Sequence, residues 1–147
     1  LLDASPYGLS GGQKRSVAIA SVIAARPSYL VLDEPAAGLD CDAAEALLSM
    51  IKNFAASGAG VVLITHDIEL ALSVSDMILL LEEGRTVSFG TPEETAELVV
   101  SREVKGLAVP EILGISAELR AAGKIEKLAW SAEGLMAQIR KRKNGLA

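Results

Sequence analysis

The sequence predicts an α/β fold: a parallel sheet with flanking helices, a terminal hairpin and a small helical C-terminal extension. Three observations predict it. Short apolar runs at Tyr29 to Asp33, Val61 to Thr65 and Met77 to Glu82 have the length and polar bounds of sheet strands. Stretches that open with helix-capping signals alternate with them, which gives the order β-α-β-α-β-β. The composition is 50% hydrophobic but only 3% aromatic, with 22% charged residues, which excludes a disordered chain and suits an interior of Ala, Leu, Val and Ile.

The first element begins at Ser10-Gly-Gly-Gln13, where Gln three residues after Ser is the spacing of a reciprocal cap, and leads into a helix over Lys14 to Ala25. Val17, Ala18, Ile19, Ala20, Val22, Ile23 and Ala24 leave that helix little polar face, so it is expected to be largely buried; Arg26-Pro27 ends it. Tyr29 to Asp33 then reads as a buried parallel strand. Asp42-Ala-Ala-Glu45 is read as a second capping box, opening a helix to about Ala56 that Gly58 and Gly60 terminate. Val61 to Thr65 is the next buried strand, and Asp67 caps a short helix from Ile68 to about Ser73. Met77 to Glu82, the turn Glu83-Gly84 and Arg85 to Phe89 form a hairpin. Thr91-Pro92-Glu93-Glu94 combines an N-cap, Pro at the first helical position and Glu at the third, so a helix starts at Pro92.

From about residue 102 the pattern changes. Val104 to Val109 reads as a linker, followed by a helix over Pro110 to Ala122 closed by Gly123 and another from Ser131 to about Lys143. Ile112, Ile115, Leu119, Leu135 and Ile139 give these helices apolar stripes that need a packing surface on the preceding domain or on a partner's tail. The expected division is therefore 1–101 and 102–147.

The 147 residues amount to one domain or part of one. Fourteen Lys and Arg against nineteen Asp and Glu give a net charge of -5, which argues against a broad face for duplex DNA. The basic run Arg140 to Lys143 lies at a helix end, where positive charge complements the dipole. No apolar run approaches the ~20 residues that span a bilayer, so any membrane contact is expected to be peripheral. Cys41, the single cysteine, cannot form an internal disulfide, which points to a reducing cytoplasm.

Four short segments carry chemistry. Ser10-Gly-Gly-Gln13 places a hydroxyl and two glycines at a helix N-terminus, where free backbone N–H groups and the positive dipole end attract an anion; the same residues would also make an ordinary loop. Asp33-Glu34 stands at the C-terminal end of a strand, where open α/β sheets place ligands. Adjacent carboxylates at a buried strand end repel unless a cation compensates, which suits Asp33 to a Mg²⁺ shell and Glu34 to a water; a capping or salt-bridged pair is the alternative. His66, the only histidine, follows a strand at the same expected edge, and the bland alternative is a satisfied structural histidine. Asp40, after Gly38-Leu39, also suits a turn.

Taken in order, Leu9-Ser-Gly-Gly-Gln-Lys-Arg15, Leu30-Val-Leu-Asp-Glu-Pro35, Ala37-Gly-Leu-Asp40 and Thr65-His-Asp67 resemble the signature motif, Walker B, D-loop and switch histidine of ABC-type ATPases. Ser10 to Glu34 spans 24 positions and Glu34 to His66 spans 32, so all four motifs follow in sequence. The resemblance is close over Leu1 to Thr91. The tail, with Val109-Pro-Glu-Ile-Leu113 and Ala117-Glu-Leu-Arg120, is similar to the C-terminal extension of energy-coupling-factor ATPases. Ala36 stands where a hydroxyl residue is usual and Cys41 where proline is usual; neither removes a reacting group. No Gly-x-x-x-x-Gly-Lys-Ser/Thr (Walker A) and no glutamine loop occur, so the chain is expected to be the C-terminal half of a longer polypeptide, inactive alone.

The resemblance implies a P-loop NTPase-type sheet and a head-to-tail dimer around ATP. Ser10, Gly11, Gly12 and Gln13 would face the γ-phosphate, Asp33 would position Mg²⁺, and Glu34 would act as general base toward water. His66 would contact the γ-phosphate, and Asp40 would couple the two sites. The implied work is uptake of a vitamin or transition-metal ion, with a second ABC ATPase subunit, a transmembrane coupling subunit and a substrate-binding membrane subunit, at the cytoplasmic face of the cell membrane. A non-transport ABC ATPase of DNA repair or translation is the alternative, disfavoured by the acidic balance. A non-catalytic subunit is another, disfavoured by the presence of Glu34 and His66.

Overall fold

A computed structural model describes residues 8–102 and 104–144. The chain forms two compact units, residues 1–65 and 66–147.

In the first unit, α1 (Gly11–Ala24) precedes β1 (Tyr29–Asp33), α2 (Cys41–Ala56) and β2 (Gly60–Ile64). The expected cap of α1 forms: the Ser10 hydroxyl accepts from the Gln13 N–H at 3.2 Å, and the Gln13 side-chain oxygen accepts from the Ser10 N–H at 3.0 Å. Arg26, before Pro27, takes the left-handed conformation (φ 48°) just past the helix. The cap of α2 differs from expectation. Asp40 rather than Asp42 is the N-cap, because its extended backbone aims Oδ1 at the Ala43 N–H, 2.8 Å away. Asp42 instead lies in the first turn, where its charge meets the positive end of the dipole.

β1 and β2 pair in parallel, with Tyr29 opposite Gly60, Val31 opposite Val62 and Asp33 opposite Ile64. Leu30 and Leu32 turn toward the two helices and share a core with Ile19, Leu47, Ile51 and Phe54. The other face is bare: Tyr29 is 77% exposed, Val31 64%, Val62 53% and Ile64 51%. The strands are therefore covered on one side only, and the expectation of fully buried strands does not hold in the described chain. Nor is α1 largely buried. Ile19 is its one buried residue, while Val17 and Val22 are exposed, because only a narrow stripe of the helix meets the core. Gly60 leaves room for its neighbour, since a Cβ there would stand 2.6 Å from the Tyr29 ring.

The second unit contains α3 (Ile68–Val74), β3 (Ile78–Glu82), β4 (Arg85–Gly90), α4 (Pro92–Ser101), α5 (Glu111–Ala121) and α6 (Ala132–Asn144). β3 and β4 form the expected antiparallel hairpin, closed by Glu83 (φ 50°) and Gly84 (φ 74°) in the twin left-handed turn that matches strand twist. β3 pairs with β4, and the β1–β2 ladder is a separate two-stranded sheet among the described residues. Thr91 and Glu94 make the expected reciprocal cap of α4. After α5, the Lys124 N–H reaches the Leu119 carbonyl at 2.8 Å and the Gly123 N–H reaches that of Arg120 at 2.9 Å, a Schellman cap that needs the positive φ of Gly123.

The core of this unit joins Ile68, Leu72, Ile78, Ala96 and Val99 to Leu113 and Leu128 of the tail. The tail thus packs on the helices and hairpin before it. Its buried stripe differs from expectation, because α5 packs on two sides. Ile112 and Leu119, like Ile139 of α6, pack against the cluster of Ile125, Ala129 and Leu135, whereas Leu113 and Ser116 are fully buried and Ile115 is left exposed. The buried Ser116 hydroxyl accepts the Ala129 N–H at 2.9 Å. At the end of α6, Arg140, Lys141 and Arg142 are exposed.

Candidate functional site

The first unit brings three of the four motif segments together. At the N-terminus of α1, the Gln13 N–H is satisfied by Ser10, whereas those of Gly11 and Gly12 have no acceptor within the helix. A Cβ on Gly11 would meet nothing within 4 Å, so an anion has open access to that end. The cap engages the Ser10 oxygen only as an acceptor, which leaves its hydrogen to donate outward. The Gln13 oxygen is committed to the cap and its amide NH₂ is the group that can face a ligand.

Asp33 and Glu34 stand at the C-terminal end of β1 as expected. That end is not buried, however: Asp33 is exposed and Glu34 half-buried, so water screens the pair. Glu34 has a φ of 43°, in the left-handed region where a residue with a Cβ is disfavoured. Its N–H donates to the Ile64 carbonyl at 2.9 Å, continuing the ladder, and the Thr65 hydroxyl donates to its Oε2 at 3.2 Å. The strained backbone redirects the side chain where the strand turns into the segment 35–38, whose turns are closed by Ala37 N–H to Glu34 carbonyl and Leu39 N–H to Ala36 carbonyl, each at 3.2 Å.

That segment leads to Asp40, whose Oδ1 caps α2; its local role is therefore a helix cap and not the turn residue offered as the alternative. Two contacts tie the segment to α1. The Arg15 guanidinium donates to the carbonyls of Pro35, at 3.4 Å, and Ala37. A Cβ on Gly12 would come within 2.9 Å of Leu39 Cδ2, so the glycine lets Leu39 press against the helix end. Thr65 and Arg15 lie within the quoted motifs, but the sequence assigned neither a role. The parallel register places residue 65 beside residue 34 and could have found the first; the second has no local signal.

His66 is exposed and follows Thr65 directly, at the start of the second unit. The next residue, Asp67, caps α3 by accepting the Leu70 N–H at 3.0 Å. Among the described residues no group of three or more His, Cys, Asp or Glu could hold a metal ion. Asp33 therefore offers a single carboxylate, which fits an ion that takes most of its ligands from phosphates and water. No described helix is long and apolar enough to cross a membrane.

Residues 3–73 match the family model described as "AAA domain, putative AbiEii toxin, Type IV TA system". "Putative ABC transporter ATP-binding protein PH0132" of Pyrococcus horikoshii is 45% identical over 115 residues, covering 78% of this chain and 44% of the relative. Over most of its length the chain is homologous to ABC transporter ATP-binding proteins. "Energy-coupling factor transporter ATP-binding protein EcfA2" of Symbiobacterium thermophilum is 40% identical over 121 residues, 82% of this chain and 42% of that protein. The chain thus spans less than half the length of these curated relatives. A solved ABC structure, "An inward-facing conformation of a putative metal-chelate type ABC transporter", matches with a TM-score of 0.56 and 28% identity, covering 61% of this chain and 36% of the other. The α/β fold is therefore that of an ABC ATPase, of the P-loop NTPase type.

Proposed function

We propose that this chain supplies the signature, Walker B, D-loop and switch segments of an ATPase that hydrolyses ATP to drive transmembrane uptake. The observation that carries the reading is the joining, within one unit, of an open helix N-terminus at Ser10 to Gly12 with a strand end bearing Asp33 and a backbone-strained Glu34. ATP is the substrate, and the helix end suits its γ-phosphate because two N–H groups and the Ser10 hydroxyl can donate there. Glu34 accepts a proton from the attacking water, and the Thr65 hydroxyl donates to one of its carboxylate oxygens. Asp33 is the side chain that would hold Mg²⁺, which neutralises phosphate charge when bound. His66 contacts the γ-phosphate, and Asp40, beyond its capping role, couples the two sites of a head-to-tail dimer. Such phosphoryl transfer depends on positioning and charge stabilisation.

The names of the EcfA2 relatives support an energy-coupling-factor transporter, and uptake of a vitamin or transition-metal ion is the role this reading gives it. In that reading residues 1–101 belong to the ATPase domain and 102–147 to a C-terminal extension. The partners are a second ATPase subunit, a transmembrane coupling subunit and a substrate-binding membrane subunit, and the protein sits peripherally at the cytoplasmic membrane face. The test is Glu34→Gln in the full-length protein assembled with its partners. It should lower ATP turnover by a factor of about 10² to 10⁴ while retaining ATP binding. Turnover near the parent rate rejects the assignment of Glu34.

A further inference from the structure

The proposed reaction needs the phosphate-facing helix end and the water-facing carboxylate at fixed positions, yet they lie on segments about twenty residues apart in sequence. We infer that Arg15 is a positioning residue that locks the turn after Glu34 onto the N-terminus of α1, so that both groups move as one body. This inference rests on the proposed ATPase reading for its catalytic consequence, though not for the contact itself.

The geometry has two parts. The Arg15 side chain leaves the second turn of α1 and donates from one terminal nitrogen to two carbonyls of the turn, Pro35 and Ala37. One nitrogen thus meets both carbonyls, so a single group ties the start and the middle of the segment 35–38 to the helix. Leu39 supplies the second part by pressing on the helix backbone at Gly12, where no side chain intervenes. The turn's own bonds, Ala37 to Glu34 and Leu39 to Ala36, are each 3.2 Å and join only neighbours within the turn, so Arg15 and Leu39 are what tie it to the helix. Glu34 begins the turn in a disfavoured left-handed conformation, and an arrangement of that kind persists only when its surroundings over-determine it. Arg15 touches neither the proposed phosphate nor the proposed water, and its effect passes through the Pro35 and Ala37 carbonyls.

The experiment compares Arg15→Ala and Arg15→Lys with the parent in the full-length protein. Backbone hydrogen exchange is read without nucleotide at residues 37 and 39, with β2 as internal control. Loss of the clamp should speed exchange at 37 and 39 by about tenfold in Arg15→Ala and leave β2 unchanged, because the change is a local opening. Steady-state ATPase should show kcat reduced by about tenfold to a hundredfold with KM for ATP close to the parent value, since misplacement harms the reacting geometry more than binding. Arg15→Lys, which keeps a charged donor on a shorter reach, should fall between the two and serves as the reporter if the alanine variant does not fold. Unchanged exchange at 37 and 39 in both variants overturns the clamp. Faster exchange with unchanged kcat overturns the positioning role. A parent protein without ATPase activity rejects the functional reading instead, and the exchange measurement still decides the contact.

Discussion

Glu34 holds a φ of 43° at the point where β1 ends, and its hydrogen bonds to Ile64 and from Thr65 keep it there. For an L-residue the left-handed region costs about 1 to 2 kcal/mol, so the strain is sizeable beside the stability of a small domain. Glu34→Gly is therefore expected to be more stable than Glu34→Ala by about 1 kcal/mol in denaturant unfolding of the full-length protein, although both lose the carboxylate. Equal stability of the two variants would show that the backbone is not strained there. The residue pair Asp33-Glu34 was legible in the sequence as a candidate from its place after an apolar run. The conformation that aims Glu34 was not, because a left-handed glutamate has no compositional signal and depends on the Ile64 carbonyl, thirty positions away.

At the scale of the element, helix ends were the most legible features. Ser10 with Gln13, Thr91 with Glu94, Asp67 and Gly123 all act as their local patterns predict, because each cap involves groups within four or five positions. The cap of α2 was misplaced by two residues, since Asp40 and Asp42 are equally suitable by type and only the backbone at Asp40 is extended. Asp40→Ala should cost about 1 kcal/mol and Asp42→Ala roughly 0.3 to 1 kcal/mol, measured by chemical unfolding, and the reverse order would refute the assigned cap.

The tail offers a pH test at the same scale. Hydrogen bonds from Arg120, one of them 2.8 Å long, hold the Glu97 carboxyl below its ordinary range, and this joins α5 to α4. The Glu82 carboxyl is lowered first by the Lys105 N–H and also by Arg102. A carboxyl whose folded pKa is depressed stabilises the protein above its unfolded pKa, near 4.5, and loses that contribution as pH falls through the folded value. Glu97→Gln should therefore lower Tm slightly at neutral pH, with the difference from the parent shrinking as the solution is acidified below about pH 4.5. A difference that does not depend on pH would show that the ion pair is not its source.

For the whole molecule, the decisive feature is apolar surface that neither unit covers itself. Tyr29, Val31, Val62 and Ile64 line one face of the first unit, and Leu79, Leu81 and Phe89 are exposed on the hairpin of the second. Contiguous apolar faces of this kind drive association. The 147-residue chain is expected to self-associate in size-exclusion chromatography with light scattering. Replacing Val31 and Val62 together by threonine, which keeps strand propensity but adds hydroxyls, should raise the monomer fraction. An unaltered distribution would locate the adhesive surface elsewhere.

By itself the sequence determined the order of strands and helices, most of their caps, the Glu83-Gly84 hairpin and the succession of four motifs from which the family was recognised. These depend on residue types within a few positions, where backbone propensity and side-chain capping act directly. Tertiary structure alone decided that Arg15 reaches the turn carbonyls of Pro35 and Ala37, that Thr65 holds Glu34, that α1 buries only Ile19, and that the sheet is covered on one face. Those contacts join segments separated by 20 to 31 positions. The packing of α1 and α2 on β1 and β2 fixes them, and no local pattern encodes which carbonyl a guanidinium will meet once that packing is formed.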